Sequence, residues 1–285
     1  MNPLSIELPE AHILSQQMNK ELIGKAVQTY ELQNCQNLPK LGCVNKDTSA
    51  FDALVGGKIS AIVSRGNVIV VKFSNGWDLV LAPEYGGIVQ FHTNQTELLK
   101  FHLKLGFQDD SALTVSLTGI GCIQATTEAD LGKNYLYRRD FSEILSPLDT
   151  QKFTLENFLQ KISEKKQNIK AALVGKTAVL VGLSNSAFQD VIYRAQIHPK
   201  RNTATLSSEE KIALYNAIND VIRERIKAGG KNQFTDLYGK QGAYVPLMGP
   251  NMKDQTCPTC NTLIEKISHG GGQVLSLPSM PKIIL

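Results

Sequence analysis

The sequence predicts an α+β fold in three successive parts, and three observations lead to this prediction. An Asn-Gly pair at positions 75 and 76 separates two apolar runs rich in β-branched residues, which is the pattern of a β-hairpin. Helical spacing of apolar residues begins after Pro147, and a Gly-rich segment with short-strand character follows residue 230. We therefore expect a β-rich part at residues 1–140, a helical part at 141–240 and a small β-hairpin part at 241–285.

The first part is predicted to be a β-sandwich or barrel with one helix packed on it. Its strand candidates are residues 68–73 and 77–81, on either side of the Asn-Gly turn, and residues 112–117. Residues 10–23 are predicted to form the helix, because apolar side chains recur there every three or four residues.

The second part contains the clearest helix of the sequence, over residues 208–228. Ser207 and Glu210 have the spacing of a capping box, in which each side chain accepts a hydrogen bond from the other residue's backbone amide. Two glycines follow the helix, as a left-handed helix end favours. Two further helices are expected, at residues 153–162 and 186–195.

The composition is that of an ordinary globular protein, with 42% hydrophobic and 20% charged residues among 285. The formal net charge of +4 permits nucleic-acid binding without requiring it. No apolar run approaches the roughly 20 residues that cross a bilayer, and the N-terminus lacks a basic start followed by an apolar stretch. We therefore expect no membrane partner, no secretory signal and a cytoplasmic protein, nucleoid-associated if DNA is the partner. The five scattered cysteines argue against a disulfide framework.

Five short motifs occur in the order and spacing of one known family: E-L-P-E at residues 7–10, P-L at 147–148, G-L-S-N at 182–185, I-H-P at 197–199 and C-P-T-C at 257–260. Over nearly its whole length the chain thus resembles the formamidopyrimidine-DNA glycosylase / endonuclease VIII family. The resemblance implies a β-sandwich with a flanking helix, a domain with a helix–two-turn–helix motif, and a C-terminal hairpin that is a degenerate zinc finger. It implies double-stranded DNA, damaged or abasic, as the partner and base-excision repair as the role.

The resemblance also implies that the chemistry at the start of the chain is altered. The family attacks the sugar with an N-terminal proline amine, which forms an imine. Ile6 stands in that place here, and its internal nitrogen is an amide without the free lone pair that an imine requires. Glu7 matches the family's catalytic glutamate and Glu10 the second glutamate of the motif. The alternatives are a strand-capping carboxylate for Glu7 and a first-turn acid stabilised by the helix dipole for Glu10.

Two further parts of the family's machinery are replaced. Asn67 occupies the place of a lysine that contacts a phosphate at the lesion, and Arg65 nearby is either a phosphate ligand or a solvated surface arginine. The loop at residues 118–121 lacks the Arg-Phe pair that fills the space of an extruded nucleotide. Ile120 and Tyr85 are the candidate replacements, and an ordinary buried strand residue is the alternative for Ile120.

The zinc finger implied by the resemblance is half missing. Cys257 and Cys260 remain as remnant ligands, whereas Leu277 and Met280 fall where the second cysteine pair belongs. Because a closed zinc site needs four N, S or O donors, we expect no zinc and no other cofactor. Gly272 replaces the arginine that the family's finger presents to a phosphate.

The positions that would hold DNA are better preserved. Asn185 matches the family's phosphate-contacting asparagine, at a helix start whose N–H groups favour an anion. Lys200 and Arg201 follow the Ile-His-Pro segment and add charge, although a solvated face is the alternative for any single lysine. The predicted DNA-binding positions are Arg65, Asn67, Asn185, Lys200, Arg201 and Gly272.

Three functions are compatible with this sequence. The first, which we expect, is binding of damaged DNA by a monomer that has lost imine-forming lyase activity. The second is a monofunctional glycosylase that removes oxidised bases with a water activated by Glu7 or Glu10. The third is a scaffold or protein-interaction module that no longer binds DNA. Salt-dependent affinity for duplex DNA would separate the third from the others, because phosphate contacts release counterions.

Overall fold

The chain folds into two compact units. A computed structural model describes residues 6–84, 86–95, 100–119, 121–249, 252–258, 260–269 and 272–277, so the predictions for Tyr85, Ile120 and Met280 lie outside the described residues. The first unit comprises the residues up to Ser142 together with Ile226–Ala243, and the second comprises Glu143–Arg225 with the chain from Tyr244 onward. Within the described ranges, no helix has the length and apolar character that crossing a membrane requires.

The α+β class is confirmed by the elements of both units. The helices are α1 (Leu8–Leu22), α2 (Tyr135–Asp140), α3 (Leu155–Glu164), α4 (Ile169–Val174), α5 (Asn185–Arg194) and α6 (Ser208–Lys227). The strands are β1 (Val27–Leu32), β2 (Ile59–Arg65), β3 (Val68–Phe73), β4 (Trp77–Ala82), β5 (Ile88–His92), β6 (Leu103–Phe107), β7 (Ala112–Ser116), β8 (Cys122–Thr127), β9 (Glu265–His269) and β10 (Gly272–Ser276). Short 3₁₀ helices cover Thr48–Leu54, Glu128–Lys133 and Thr203–Thr205.

Two four-stranded antiparallel sheets form the first unit, in the strand orders β1-β6-β7-β5 and β2-β3-β4-β8. Strands β3 and β4 are the hairpin predicted around the Asn-Gly pair, and Lys72 faces Asp78 near its closed end. Gly76 has a φ of 80°, a conformation that glycine adopts without a Cβ clash. Side chains from both sheets share one core with Leu14 and Met18 of α1. The predicted β-sandwich with a flanking helix is therefore confirmed.

The starts of α1 and α6 are both defined by capping residues. Helix α1 begins two residues earlier than predicted, because Glu7 is its N-cap and a proline occupies its first turn. At α6 the predicted capping box is present: Ser207 N donates to Glu210 Oε2 at 2.8 Å, and Glu210 N donates to Ser207 Oγ at 3.2 Å. The two glycines after α6 have φ values of 71° and 95°, so the predicted left-handed helix end is also confirmed.

The three predicted segments differ from the observed grouping after residue 225. Residues 226–243 belong with the sandwich, because Leu237 N donates to Gln17 Oε1 at 3.0 Å and Leu237 lies in the sandwich core. The C-terminal hairpin belongs with the helical unit, because Leu275 N donates to the Gln189 side chain on α5 at 2.9 Å. Sequence spacing gave no sign of these long-range bonds, so this grouping differs from the predicted division at residue 240.

Candidate functional site

Glu7 and Glu10 lie together at the start of α1 in the first unit, and both are fully buried. The Glu7 backbone N–H donates to Glu10 Oε2 at 3.2 Å, and Lys231 N donates to Glu10 Oε1 at 3.1 Å. Both carboxylate oxygens of Glu10 therefore accept backbone amides, which is the role of a capping residue. The Glu7 carboxylate accepts the Glu10 backbone amide in return, so the two side chains form the capping box of α1. The catalytic roles that the sequence suggests for Glu7 and Glu10 stay predictions.

Ile6 occupies the position of the family's nucleophile and lies directly before this cap. Its side chain is 3% exposed, and its backbone N–H donates to the Glu84 carbonyl oxygen at 3.1 Å. The nitrogen is thus a hydrogen-bonded amide inside the fold. Its lone pair is delocalised into the peptide bond and is not available to attack a sugar carbon.

Asn67 lies inside a polar network of the first unit. Its backbone N–H donates to Asp140 Oδ2 at 2.7 Å, and its side-chain Nδ2 donates to Glu84 Oε1 at 3.2 Å. The guanidinium of Arg139 donates to Glu84 at 2.5 Å and to both oxygens of Asp140 at 2.6 and 2.9 Å. Asn67 is only 9% exposed and is held by these structural bonds, while its DNA contact stays a prediction.

The electrostatics of this network reflect one cation placed between two carboxylates. Burial raises the pKa of Asp140, and its bonds to Arg139 oppose that rise only in part. Burial alone would lower the pKa of Arg139, but its bonds to Asp140 and Glu84 outweigh burial and raise it. No local sequence pattern predicts this network, because Asn67 and Asp140 are 73 positions apart. Arg65 nearby donates from Nη2 to the Ser142 carbonyl at 2.8 Å.

In the second unit, Asn185 begins α5, after a turn in which Gly182 has a φ of 85°. Its Nδ2 donates to the Gln273 carbonyl of β10 at 3.0 Å, which ties the helix start to the C-terminal hairpin. Its Oδ1 is buried, and no hydrogen-bond partner for it occurs in the described part of the chain. The predicted phosphate-contacting asparagine therefore lies at a helix start beside the hairpin.

Lys200 and Arg201, adjacent in sequence, have opposite environments. Lys200 is exposed, as a phosphate-contacting lysine requires. Arg201 is 7% exposed and forms two bonds to Glu210, at 2.9 and 3.0 Å, and two to Thr205, at 2.6 and 3.1 Å. Its donors are used within the protein in a structural ion pair, while the phosphate contact of Arg201 stays a prediction.

Gly272 lies next to a lysine that sequence reasoning missed. A Cβ atom placed on Gly272 would lie 3.3 Å from Lys170 Nζ, and that ammonium donates to the His269 carbonyl at 2.8 Å. Burial lowers the pKa of His269, and the charges of Lys170 and Lys200 lower it further. Positive charge is thus present at the hairpin position where the resemblance implies an arginine. No sequence signal marked Lys170, which lies on a six-residue helix.

The remnant cysteines lie in surroundings that do not suit zinc. Cys257 is 1% exposed in an apolar cluster with Leu275, Leu277 and Met248, and its sulfur lies 3.3 Å from the Tyr193 hydroxyl. The leucine at the third ligand position has no donor atom and packs in that cluster. Within the described ranges no group of three or more His, Cys, Asp or Glu side chains is arranged to hold a metal. The residues present therefore do not fit the family's metal centre.

Comparison with known proteins agrees with this architecture. The sequence model of the formamidopyrimidine-DNA glycosylase N-terminal domain matches residues 6–118, and that of the formamidopyrimidine-DNA glycosylase H2TH domain matches residues 145–236. The chain is 26% identical over 271 residues to the formamidopyrimidine-DNA glycosylase of Streptococcus pneumoniae, covering 93% of this chain and 94% of that one. It is also 26% identical over 277 residues to the Bacillus cereus protein of the same name, covering 93% and 95%.

Solved structures show the same fold. A Lactococcus lactis Fpg in complex with abasic-site DNA superposes with a TM-score of 0.83 at 21% identity, covering 97% of this chain and all of that one. MutM in complex with carbocyclic 8-oxo-G DNA superposes with a TM-score of 0.81 at 20% identity and equal coverage. The sandwich and the H2TH domain together define a protein of the DNA-glycosylase class. The chain belongs to the formamidopyrimidine-DNA glycosylase / endonuclease VIII family.

Proposed function

We propose that this protein binds damaged or abasic double-stranded DNA and does not nick it through an imine. Family membership supports the DNA partner, and the similar solved structures are complexes with abasic or damaged DNA. The observation that carries the loss of nicking is Ile6, whose nitrogen is a buried amide bonded to the Glu84 carbonyl. β-Elimination through a Schiff base begins with a free amine, and this position has none.

The surroundings of Asn67 support the same conclusion. A lysine at that position would present a mobile ammonium to a phosphate, whereas the Asn67 amide is held by Glu84 inside the fold. The one cation of this network, Arg139, is paired with Glu84 and Asp140. Two carboxylates and one guanidinium sum to a net negative charge, which disfavours a phosphate at this point.

A monofunctional glycosylase is the second candidate, and Glu7 is the observation that favours it. Glu7 lies directly beside the position of the family's nucleophile, whereas Glu10, the other carboxylate of the E-L-P-E motif, accepts two backbone amides. In such an enzyme Glu7 would take a proton from the water that attacks the sugar carbon, and the base would leave without strand cleavage.

An excision assay separates these functions. Duplexes carrying 8-oxoguanine, an oxidised pyrimidine or an abasic site are incubated with the protein, and each sample is divided into halves with and without hot alkali. The proposal expects salt-sensitive binding and intact strands in both halves. Cleavage only after alkali, lost in Glu7→Gln, would establish the monofunctional glycosylase instead.

Two other outcomes contradict the proposal outright. Nicking without alkali, or a covalent adduct trapped by borohydride on abasic DNA, would show that an imine does form. Absence of duplex binding even at low salt would favour the scaffold alternative, because phosphate contacts are strongest under that condition.

A further inference from the structure

A buried ammonium lies at the base of the C-terminal hairpin in the second unit. Lys170 of α4 is 6% exposed, and its Nζ donates to the His269 carbonyl at 2.8 Å. Among the described residues no carboxylate lies within ion-pair distance of it. Charged groups that are buried in proteins are normally paired, and an ammonium carries three donors. A buried cation with one carbonyl partner therefore points to an anionic ligand.

Other polar groups lie on the same hairpin and at the start of α5, which is bonded to the hairpin. The exposed Lys200 lies close enough for its charge, together with burial and that of Lys170, to lower the pKa of His269. The Nε2 atom of His269 and the Oδ1 atom of Asn185 are both buried, and neither has a hydrogen-bond partner in the part of the chain that the structure describes. Buried polar atoms of this kind are normally satisfied, so these two also mark a place where a polar ligand binds.

Gly272 determines how accessible the ammonium is. A Cβ at this position would lie 3.3 Å from Lys170 Nζ, closer than ordinary van der Waals contact, so a longer side chain would lie over it. With glycine the backbone of β10 passes close to the ammonium without a covering side chain. Because this glycine stands where the resemblance implies an arginine, the positive charge at this position comes from Lys170 of α4.

We propose that Lys170 and Lys200 bind one backbone phosphate of the DNA, with His269 Nε2 as an additional donor. This inference rests on the proposed function, since it assigns a DNA contact. It places the cationic contact of the hairpin on α4 and on the segment after α5, both within the second unit. A phosphodiester fits the site, because its two non-bridging oxygens accept from several donors at once.

The test measures duplex affinity by fluorescence anisotropy across a salt titration, with a duplex that carries a tetrahydrofuran abasic analogue. Lys200→Gln and Lys170→Met are each expected to lose about tenfold in affinity, as for one charge-assisted bond. Each should reduce the slope of log affinity against log salt by about one. Lys161→Gln is the control with the same charge change, because Lys161 is exposed on α3 beside Glu164.

The outcomes separate this inference from the proposed function. Wild-type protein that binds the duplex while Lys200→Gln and Lys170→Met behave like Lys161→Gln would overturn the inference and leave the proposed function standing. Wild-type protein that does not bind the duplex would overturn both. If Lys170→Met does not fold, the exposed Lys200 still decides the first comparison.

A second measurement detects an effect that a purely structural lysine would not have. The pKa of His269, followed by NMR in the wild-type protein, is expected to rise when the duplex is added, because an anion next to the ring stabilises its protonated form. Inorganic phosphate at the same ionic strength is the companion sample. An unchanged pKa with the duplex, or a rise with inorganic phosphate alone, would overturn the assignment to a DNA phosphate.

Discussion

The start of α1 in the first unit and the base of the hairpin in the second unit differ in how their charged groups are paired. At α1, Glu10 accepts two backbone amides, and Arg139 nearby is paired with Glu84 and Asp140. At the hairpin, the buried Lys170 meets a carbonyl and no described carboxylate. The cation of the first region is paired with two carboxylates, whereas the ammonium of the second has a single carbonyl partner among the described residues. The positions at which the resemblance implies catalysis and the hairpin at which it implies a phosphate contact thus belong to different units and differ in their balance of charge.

The largest expected effect is a loss of stability when the Glu10 cap at the start of α1 is removed. Glu10→Ala leaves the backbone N–H groups of Glu7 and Lys231 buried without their acceptor, so the free energy of unfolding should fall by about 3 kcal/mol. Urea denaturation followed by circular dichroism measures it. Glu10→Gln keeps one oxygen acceptor and should cost less. Equal stability of Glu10→Ala and wild type would show that Glu10 is not a cap.

The next effect concerns Arg201, whose ion pair with Glu210 is mostly buried. Arg201→Met should lower the free energy of unfolding by about 2 kcal/mol, because it leaves a partly buried carboxylate without its cation. The double variant Arg201→Met with Glu210→Met should regain part of that loss. Duplex affinity, measured below the melting range, should equal that of wild type. A tenfold loss of affinity in folded Arg201→Met would restore the sequence-based assignment to DNA binding.

A further test places an arginine at Gly272, the hairpin position where the resemblance implies one. Gly272→Arg in the Lys170→Met background should recover most of the affinity that Lys170→Met loses, about tenfold, since a guanidinium then replaces the ammonium at the same place. In the wild-type background the gain should be smaller, because the new side chain crowds Lys170 Nζ. Anisotropy titrations of the four proteins measure this. Additive effects would mean that the two cations act at separate places.

A smaller effect is expected from pH. The pKa of His269 lies below its ordinary value of 6.5 because of burial and two lysine charges. The unfolded chain therefore takes up the proton first, and the contribution to stability is present above about pH 6.5 and falls as pH decreases through that value. His269→Gln should flatten this part of the stability–pH curve. Other partly buried histidines, such as His92, contribute in the same direction, so the change should be partial.

The smallest effect is expected from metal removal. Leu277 and Cys257 pack in an apolar cluster, so we predict no stoichiometric zinc and no change in melting temperature with a chelator. Elemental analysis of the purified protein, with thermal melts in the presence and absence of chelator, checks both statements. Close to one zinc per chain, or a lower melting temperature with chelator, would contradict them.

Features that depend on neighbouring residues were predictable from the sequence. The hairpin at Gly76 and the capping box of Ser207 and Glu210 depend on residues within a few positions of each other, and both are present. Arg201 was assigned to DNA because its charge was considered without Glu210, whose carboxylate the helix start brings to it. Lys170 was missed for the same reason, since the hairpin that it contacts lies 99 positions away.

Gly66, in the turn between β2 and β3, makes room for the Asp140 carboxylate that binds the backbone of position 67. It has a φ of 58°, and a Cβ there would lie 2.5 Å from Asp140 Oδ2. The carboxylate that fills this space also binds the neighbouring backbone amide of Asn67 and the guanidinium of Arg139. A mutation that returned a lysine to position 67 would still meet these partners in place. A substitution at position 67 alone would therefore leave the acidic network around it intact.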